Sequence, residues 1–201
     1  MIESNITIAP CIWLDDQAEE AASLHTESIP GSARTAVVRY PTGFDNPAGK
    51  PRGSVLTAEF ELAGSPFTTL NGGPAFTVNQ SVSFFVHVPT VAGTERVAAA
   101  LADGGRYLME LGEYPWSARY AWVQDRYGVS WQVMLADARD GPMIAPCLMF
   151  TGSVHGRAEV ALQLYAGIFP EGRVELLERY QAEEGPTGTV KHGRASLAGQ
   201  P

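Results

Sequence analysis

Apolar and polar positions along this chain follow two rhythms, one of period two and one near 3.6. Residues 55–62 alternate cleanly: Leu56, Ala58, Phe60 and Leu62 share one face, Val55, Thr57, Glu59 and Glu61 the other, as in a strand with one side buried. Ahead of it, residues 6–14 form an apolar, β-rich run. Ala18, Ala21, Ala22 and Leu24 then mark the apolar face of a helix that Asp15 or Asp16 would cap and Pro30-Gly31 would stop. A short strand is predicted over 34–40. Ala63-Gly64-Ser65 turns the chain into another at 67–70, which Asn71-Gly72-Gly73-Pro74 ends. This module reads strand, helix, strand, strand, strand.

Residues 82–136 follow the same plan. A strand at 82–88 precedes a helix at 90–103, with Val97 and Leu101 at i, i+4 and Gly104-Gly105 closing it. Strands at 107–111 and 120–124 follow, and the turn Asp125-Arg126-Tyr127-Gly128 leads into the last, 129–135.

The chain also repeats itself. Ala9-Pro10-Cys11 recurs as Ala145-Pro146-Cys147, Arg39-Tyr40 as Arg179-Tyr180, and Leu62-Ala63-Gly64 as Leu197-Ala198-Gly199, in the same order. Residues from about 144 onward therefore read as a second copy of the first module, with a helix near 157–166 carrying Ala158, Ala161, Leu162 and Tyr165. The copy runs out at Gln200-Pro201, where its fourth strand should begin. The expected organisation is one complete α+β domain over 1–137, from modules at about 1–72 and 74–136, plus an incomplete module over 143–201. Open strand edges need covering. The expectation is that the sequence is a shortened form of a two-domain chain, the alternative being completion by another subunit.

Charge and composition narrow the function classes. A net charge of -8 opposes binding to nucleic acid or to an anionic membrane. No run of about 18 apolar residues exists to span a bilayer, and the first residues lack the pattern of a secretory signal. Two cysteines, Cys11 and Cys147, suit reduced thiols in a cytoplasmic protein.

Several motifs carry a family resemblance: Leu70-Asn71-Gly72-Gly73-Pro74, Ser83-Phe84-Phe85-Val86, Gly104-Gly105, Tyr114-Pro115-Trp116-Ser117, and the run from Asp125-Arg126-Tyr127-Gly128 through Trp131-Gln132-Val133. With the paired βαβββ modules, they resemble the vicinal-oxygen-chelate superfamily of glyoxalases, bleomycin-resistance proteins and extradiol dioxygenases. The resemblance is to its PhnB-like branch, often labelled as 3-demethylubiquinone-9 3-methyltransferase domains. It implies a curved mixed sheet with helices on its outer face, and a homodimer. Metal enzymes of the superfamily hold a divalent ion with His and Glu on the inner face. Carried onto this chain by strand, Ser83 falls at the position of a His and Gln132 at that of a Glu. The first-strand position falls near Cys11 and the fourth-strand position near Thr69. A hydroxyl, an amide and a thiol suit such ions poorly, so neither metal nor other cofactor is expected. The methyltransferase label is not carried over, because no glycine-rich strand-to-helix loop followed by an acidic residue is present.

Among other candidates, Glu59 would act as a general base if its polar strand face lined the cavity and burial raised its pKa. Parity places Trp13 and Phe85 on the pocket side and Trp131 in the core. The four histidines read as surface or satisfied groups rather than ligands, the alternative for His87 being the cavity rim, since it shares a face with Ser83 and Phe85; Asn71-Gly72-Gly73-Pro74 reads as a turn rather than a phosphate loop. The sequence thus points to metal-independent binding of a small molecule by Cys11, Trp13, Thr69, Ser83, Phe85 and Gln132, with Glu59 the candidate catalytic residue. A metal-dependent or Glu-based lyase, isomerase or dioxygenase is the alternative, and a vestigial pocket serving association a third.

Overall fold

A computed structural model of the chain describes residues 6–43, 45–136 and 144–201. The first module contains β1 (Cys11–Leu14), α1 (Ala18–Ser28), β2 (Ala33–Arg39), β3 (Val55–Leu62) and β4 (Ser65–Asn71). The second contains β5 (Val82–Val88), α2 (Val91–Ala102), β6 (Arg106–Tyr114), β7 (Ser117–Gln124) and β8 (Ser130–Leu135). Then come β9 (Ile144–Leu148), α3 (Ala158–Ile168), β10 (Arg173–Arg179) and β11 (Val190–Ser196). The chain divides into two compact units, residues 9–147 and residues 148–201 with the segment ahead of residue 9. The boundary expected between 137 and 143 lies outside the described residues.

The fold is α+β with mixed sheets. The larger unit holds two of them, ordered β1-β4-β3-β2 and β6-β7-β8-β5-β9. In each, the module's first strand runs parallel to its fourth, and the β2–β3, β3–β4, β6–β7 and β7–β8 pairs are antiparallel. One face of each sheet is covered by its helix. Ala58, Phe60 and Leu62 are fully buried, with Ala18, Ala21 and Ala22 of α1; Val97, Ala98 and Leu101 of α2 are buried with Val123 and Val133.

Helix α2 begins as its sequence predicts, the Thr90 hydroxyl accepting from Gly93 N. Helix α1 does not. No side chain of Asp15 or Asp16 caps it; Asn71, at the end of β4, accepts from Ala18 N at 2.8 Å. A distant residue satisfies one of the orphan donors that a local cap would otherwise take.

A chain of aromatic rings joins the two modules: Phe60 on Phe67, Phe67 on Phe84, and Phe84 on Trp131, with centroids 5.1–5.6 Å apart. His25 completes it, its ring centroid 4.7 Å from Trp131. The imidazole is fully buried and its Nε2 donates to Asp125 Oδ2 at 2.8 Å. His25 is thus a core histidine, and the Asp125 turn is a cross-module anchor as well as a hairpin.

The sequence repeat has structural counterparts. Arg39 donates to Gly53 O and Arg179 to Gly188 O. Tyr40 N donates to Ser54 O and Tyr180 N to Thr189 O, while the Ser54 and Thr189 hydroxyls donate to the carbonyls of Pro51 and Pro186. Ala63 and Ala198 both adopt positive φ (48° and 51°) ahead of a positive-φ glycine, the two-residue hairpin geometry. In the smaller unit, β10 and β11 pair antiparallel.

Candidate functional site

Strand register decides which side chains share the face of each sheet that points away from its helix. In the first module the rows are Cys11–Thr68–Glu59–Ala36 and Trp13–Leu70–Thr57–Val38. In the second they are Phe85–Gln132–Trp122–Met109 and His87–Met134–Tyr120–Gly112.

The second module brings together two of the residues expected from sequence. Gln132 Nε2 donates to Ser83 Oγ at 2.8 Å, and the Tyr120 hydroxyl donates to Gln132 Oε1 at 2.6 Å. The Cys147 thiol completes the cluster with hydrogen bonds to Ser83 and Gln132. Burial pushes the Cys147 thiol up more strongly than those two hydrogen bonds pull it down, so it is a neutral thiol near pH 7. Burial likewise drives the Tyr120 phenol far above its ordinary range. Every group in the network is therefore neutral and bonded to another member. Phe85 lies beside Gln132 on one side and Trp122 on the other, with the Trp122 indole fixed by its bond to Ser130 Oγ (2.7 Å).

The first-strand position is corrected. Cys11 is exposed on β1, an edge strand; its repeat counterpart Cys147, on β9, meets Ser83 and Gln132 because β9 is the strand beside β5. The Ala-Pro-Cys repeat was the signal that would have found it. Cys11 and Trp13 instead line a separate, mostly apolar cavity of about 250 Å³ with Phe76, Val82 and Phe84. There Phe76 packs edge-on to Trp13 at 5.0 Å, and the Trp13 indole N–H donates to Gly73 O.

Thr69 is also corrected. It is fully buried on the helix side of β4, donating to Ala18 O at 2.8 Å and to Ala58 O. Thr68 takes the opposite face, since successive strand residues alternate. Glu59 stays on the outward face beside Thr68, but it is exposed, so the burial that the general-base role required is missing. Trp131 is fully buried, as parity predicts.

The residues at the family's metal positions do not fit a divalent ion. Ser83 and Gln132 spend their polar atoms on each other and on Tyr120 and Cys147, and a protonated thiol is not a ligand. Among the described residues, no three His, Cys, Asp or Glu side chains are grouped closely enough to hold one.

The model of the 3-demethylubiquinone-9 3-methyltransferase family matches residues 6–134. The chain belongs to this family. It is similar to a Bacillus cereus PhnB protein, described as a putative 3-demethylubiquinone-9 3-methyltransferase, at 34% identity and a TM-score of 0.58, covering 65% of this chain and 100% of that one. It is also similar to protein PA1353 from Pseudomonas aeruginosa at 25% identity and a TM-score of 0.54, covering 66% and 98%. A glyoxalase/bleomycin resistance protein from Albidiferax ferrireducens matches at 15% identity and a TM-score of 0.44, covering 66% and 99%. No curated protein matches the chain. The turns from β1 to α1 (Asp15-Asp16-Gln17) and from β5 to α2 (Pro89-Thr90) contain no glycine, unlike a nucleotide-binding strand-to-helix loop. No helix among the described residues is long and apolar enough to cross a membrane.

Proposed function

We propose that this protein binds a small organic molecule on the outward sheet face of its second module, without a metal ion. The observation that supports the reading is the neutral network of Ser83, Gln132, Tyr120 and Cys147, in which Ser83 and Gln132 stand where the resemblance places a His and a Glu of metal members. Hydroxyl, amide and protonated thiol are poor donors for magnesium, manganese or iron, while convergent polar groups among aromatic side chains suit an organic ligand. Glu59, being exposed, has no part in this reading. Elemental analysis of the protein, dialysed without chelator, is expected to find no stoichiometric divalent ion. Adding manganese, nickel, zinc or iron(II) is expected to leave its melting temperature unchanged. A stoichiometric ion that Gln132→Ala releases would overturn the proposal.

The proposal includes a homodimer. Strand β2 is exposed at every residue, with Val37 and Val38 38% and 45% exposed, and β1 forms the other edge of that sheet. Light scattering behind a sizing column is expected to give twice the 21.6 kDa chain mass, and Val38→Glu to lower it. A single-chain mass at micromolar concentration refutes the dimer.

A further inference from the structure

We infer that the ligand of the second module is a neutral, planar ring system, held across β8 between two aromatic walls. The inference rests on the preceding proposal and adds the chemical class of the ligand. Its basis is the register of three adjacent strands. Gln132 stands directly between Phe85 on β5 and Trp122 on β7, and Met134 between His87 and Tyr120. Neighbouring strands lie about 4.8 Å apart, so the two walls rise from backbones about 9.6 Å apart. That separation admits one flat ring above Gln132 and Met134 and leaves no width for a bulky, three-dimensional group.

The walls are ordered. Phe85 and His87 stack at 6.0 Å with 14° between their planes. Trp122 is pinned through its indole N–H, and Tyr120 is held by Gln132 and flanked by Tyr114 and Trp116 at 5.4 and 5.5 Å. Phe85, Gln132, Trp122 and Met134 are half-buried rather than sealed, which leaves the trough open to a ligand. Its chemistry is equally restrictive. Neither row carries a carboxylate, lysine or arginine, so among the described residues of these rows no opposite charge would offset the desolvation of a charged ligand. Gln132 spends its amide hydrogens on Ser83 and Cys147. Attraction then comes from stacking and from burial of apolar area.

The test uses three flat bicyclic probes at pH 7.5 with the full chain: quinoxaline (neutral), 2-naphthoate (anionic) and 2-naphthylmethylammonium (cationic). Titration followed by tryptophan fluorescence and by calorimetry is expected to show quinoxaline binding at least about tenfold more tightly than either ion. Trp122→Ala should weaken it by about tenfold, the scale of one lost stacking partner. Quinoxaline should also slow maleimide labelling of Cys147 while leaving labelling of the exposed Cys11 unchanged. Phe85→Ala gives an independent reading if Trp122→Ala fails to fold. Equal or tighter binding of either ion overturns the neutral class, as does the absence of quinoxaline binding up to about 1 mM. Either of those results leaves metal-independent binding standing. Quinoxaline binding that chelator abolishes and manganese or zinc restores would instead overturn the preceding proposal.

Discussion

Replacing Asp125 with alanine is expected to lower the unfolding free energy by about 3–5 kcal/mol, the range for removing one member of a buried polar cluster. The residue is 3% exposed and its side chain serves four donors. Oδ1 accepts from Tyr127 N and Val129 N, each at 2.9 Å; Oδ2 accepts from Trp131 Nε1 at 2.9 Å and His25 Nε2 at 2.8 Å. Alanine leaves all four without partners, and an unsatisfied buried donor costs about 1–3 kcal/mol before relaxation. The loss falls where the modules meet, since His25 comes from α1 and Trp131 from β8. Urea unfolding followed by tryptophan fluorescence would measure it. Asp125→Asn keeps the size and one carbonyl acceptor but turns an amide toward a pair of donors, so its loss should be smaller than that of alanine. A loss below about 1 kcal/mol for alanine would show that the cluster is not the anchor described.

Gly105→Ala is expected to cost about 2–4 kcal/mol, within the range for forced overpacking and backbone strain. A Cβ built on Gly105 would lie 2.2 Å from the carbonyl oxygen of Gln124 and 2.9 Å from Asp125 Cα. Both are backbone atoms, so no side-chain rotation relieves the clash. The chain after α2 passes against the strand end that carries Asp125, and moving either would disturb the anchor. Gly64→Ala is the matching control. Gly64 has φ of +85° with nothing near its Cβ position, so only backbone strain of about 1 kcal/mol is expected. Comparable losses at the two sites, by thermal melts, would argue against the close approach.

Much of the fold is legible from local rules. The alternation over residues 55–62 marks β3 at its observed bounds, because a half-buried strand writes its two faces directly into the sequence. Thr90 announces the start of α2, and the two Ala-Gly hairpins share a backbone conformation that their identical sequences would suggest. Ser83 and Gln132, placed on one face by carrying a family pattern onto strands of clear phase, do meet there. Thr69 was misplaced, because its strand is short and bounded by turn residues, and a phase error of one residue sends a side chain to the opposite face. Cys147 and Tyr120 were not read as neighbours of Ser83 and Gln132 for a different reason: nothing in their local sequence says which strands lie beside them.

The sequence by itself determined the α+β class, the strand-helix-strand-strand-strand modules, the internal repeat, and the absence of ordinary metal donors at Ser83 and Gln132. These follow from period, turn chemistry and side-chain type, all readable within a few residues. Only the tertiary structure decided that β9 rather than β1 adjoins β5, that Asn71 caps α1 from across the module, and that His25 is tied to Asp125 in the core. The same Ala-Pro-Cys sequence leads into β1 and lies within β9, and a strand edge accepts any partner whose backbone and side chains fit. Which copy arrives is settled by the packing of the whole chain, because pairing energy resides in contacts between distant residues.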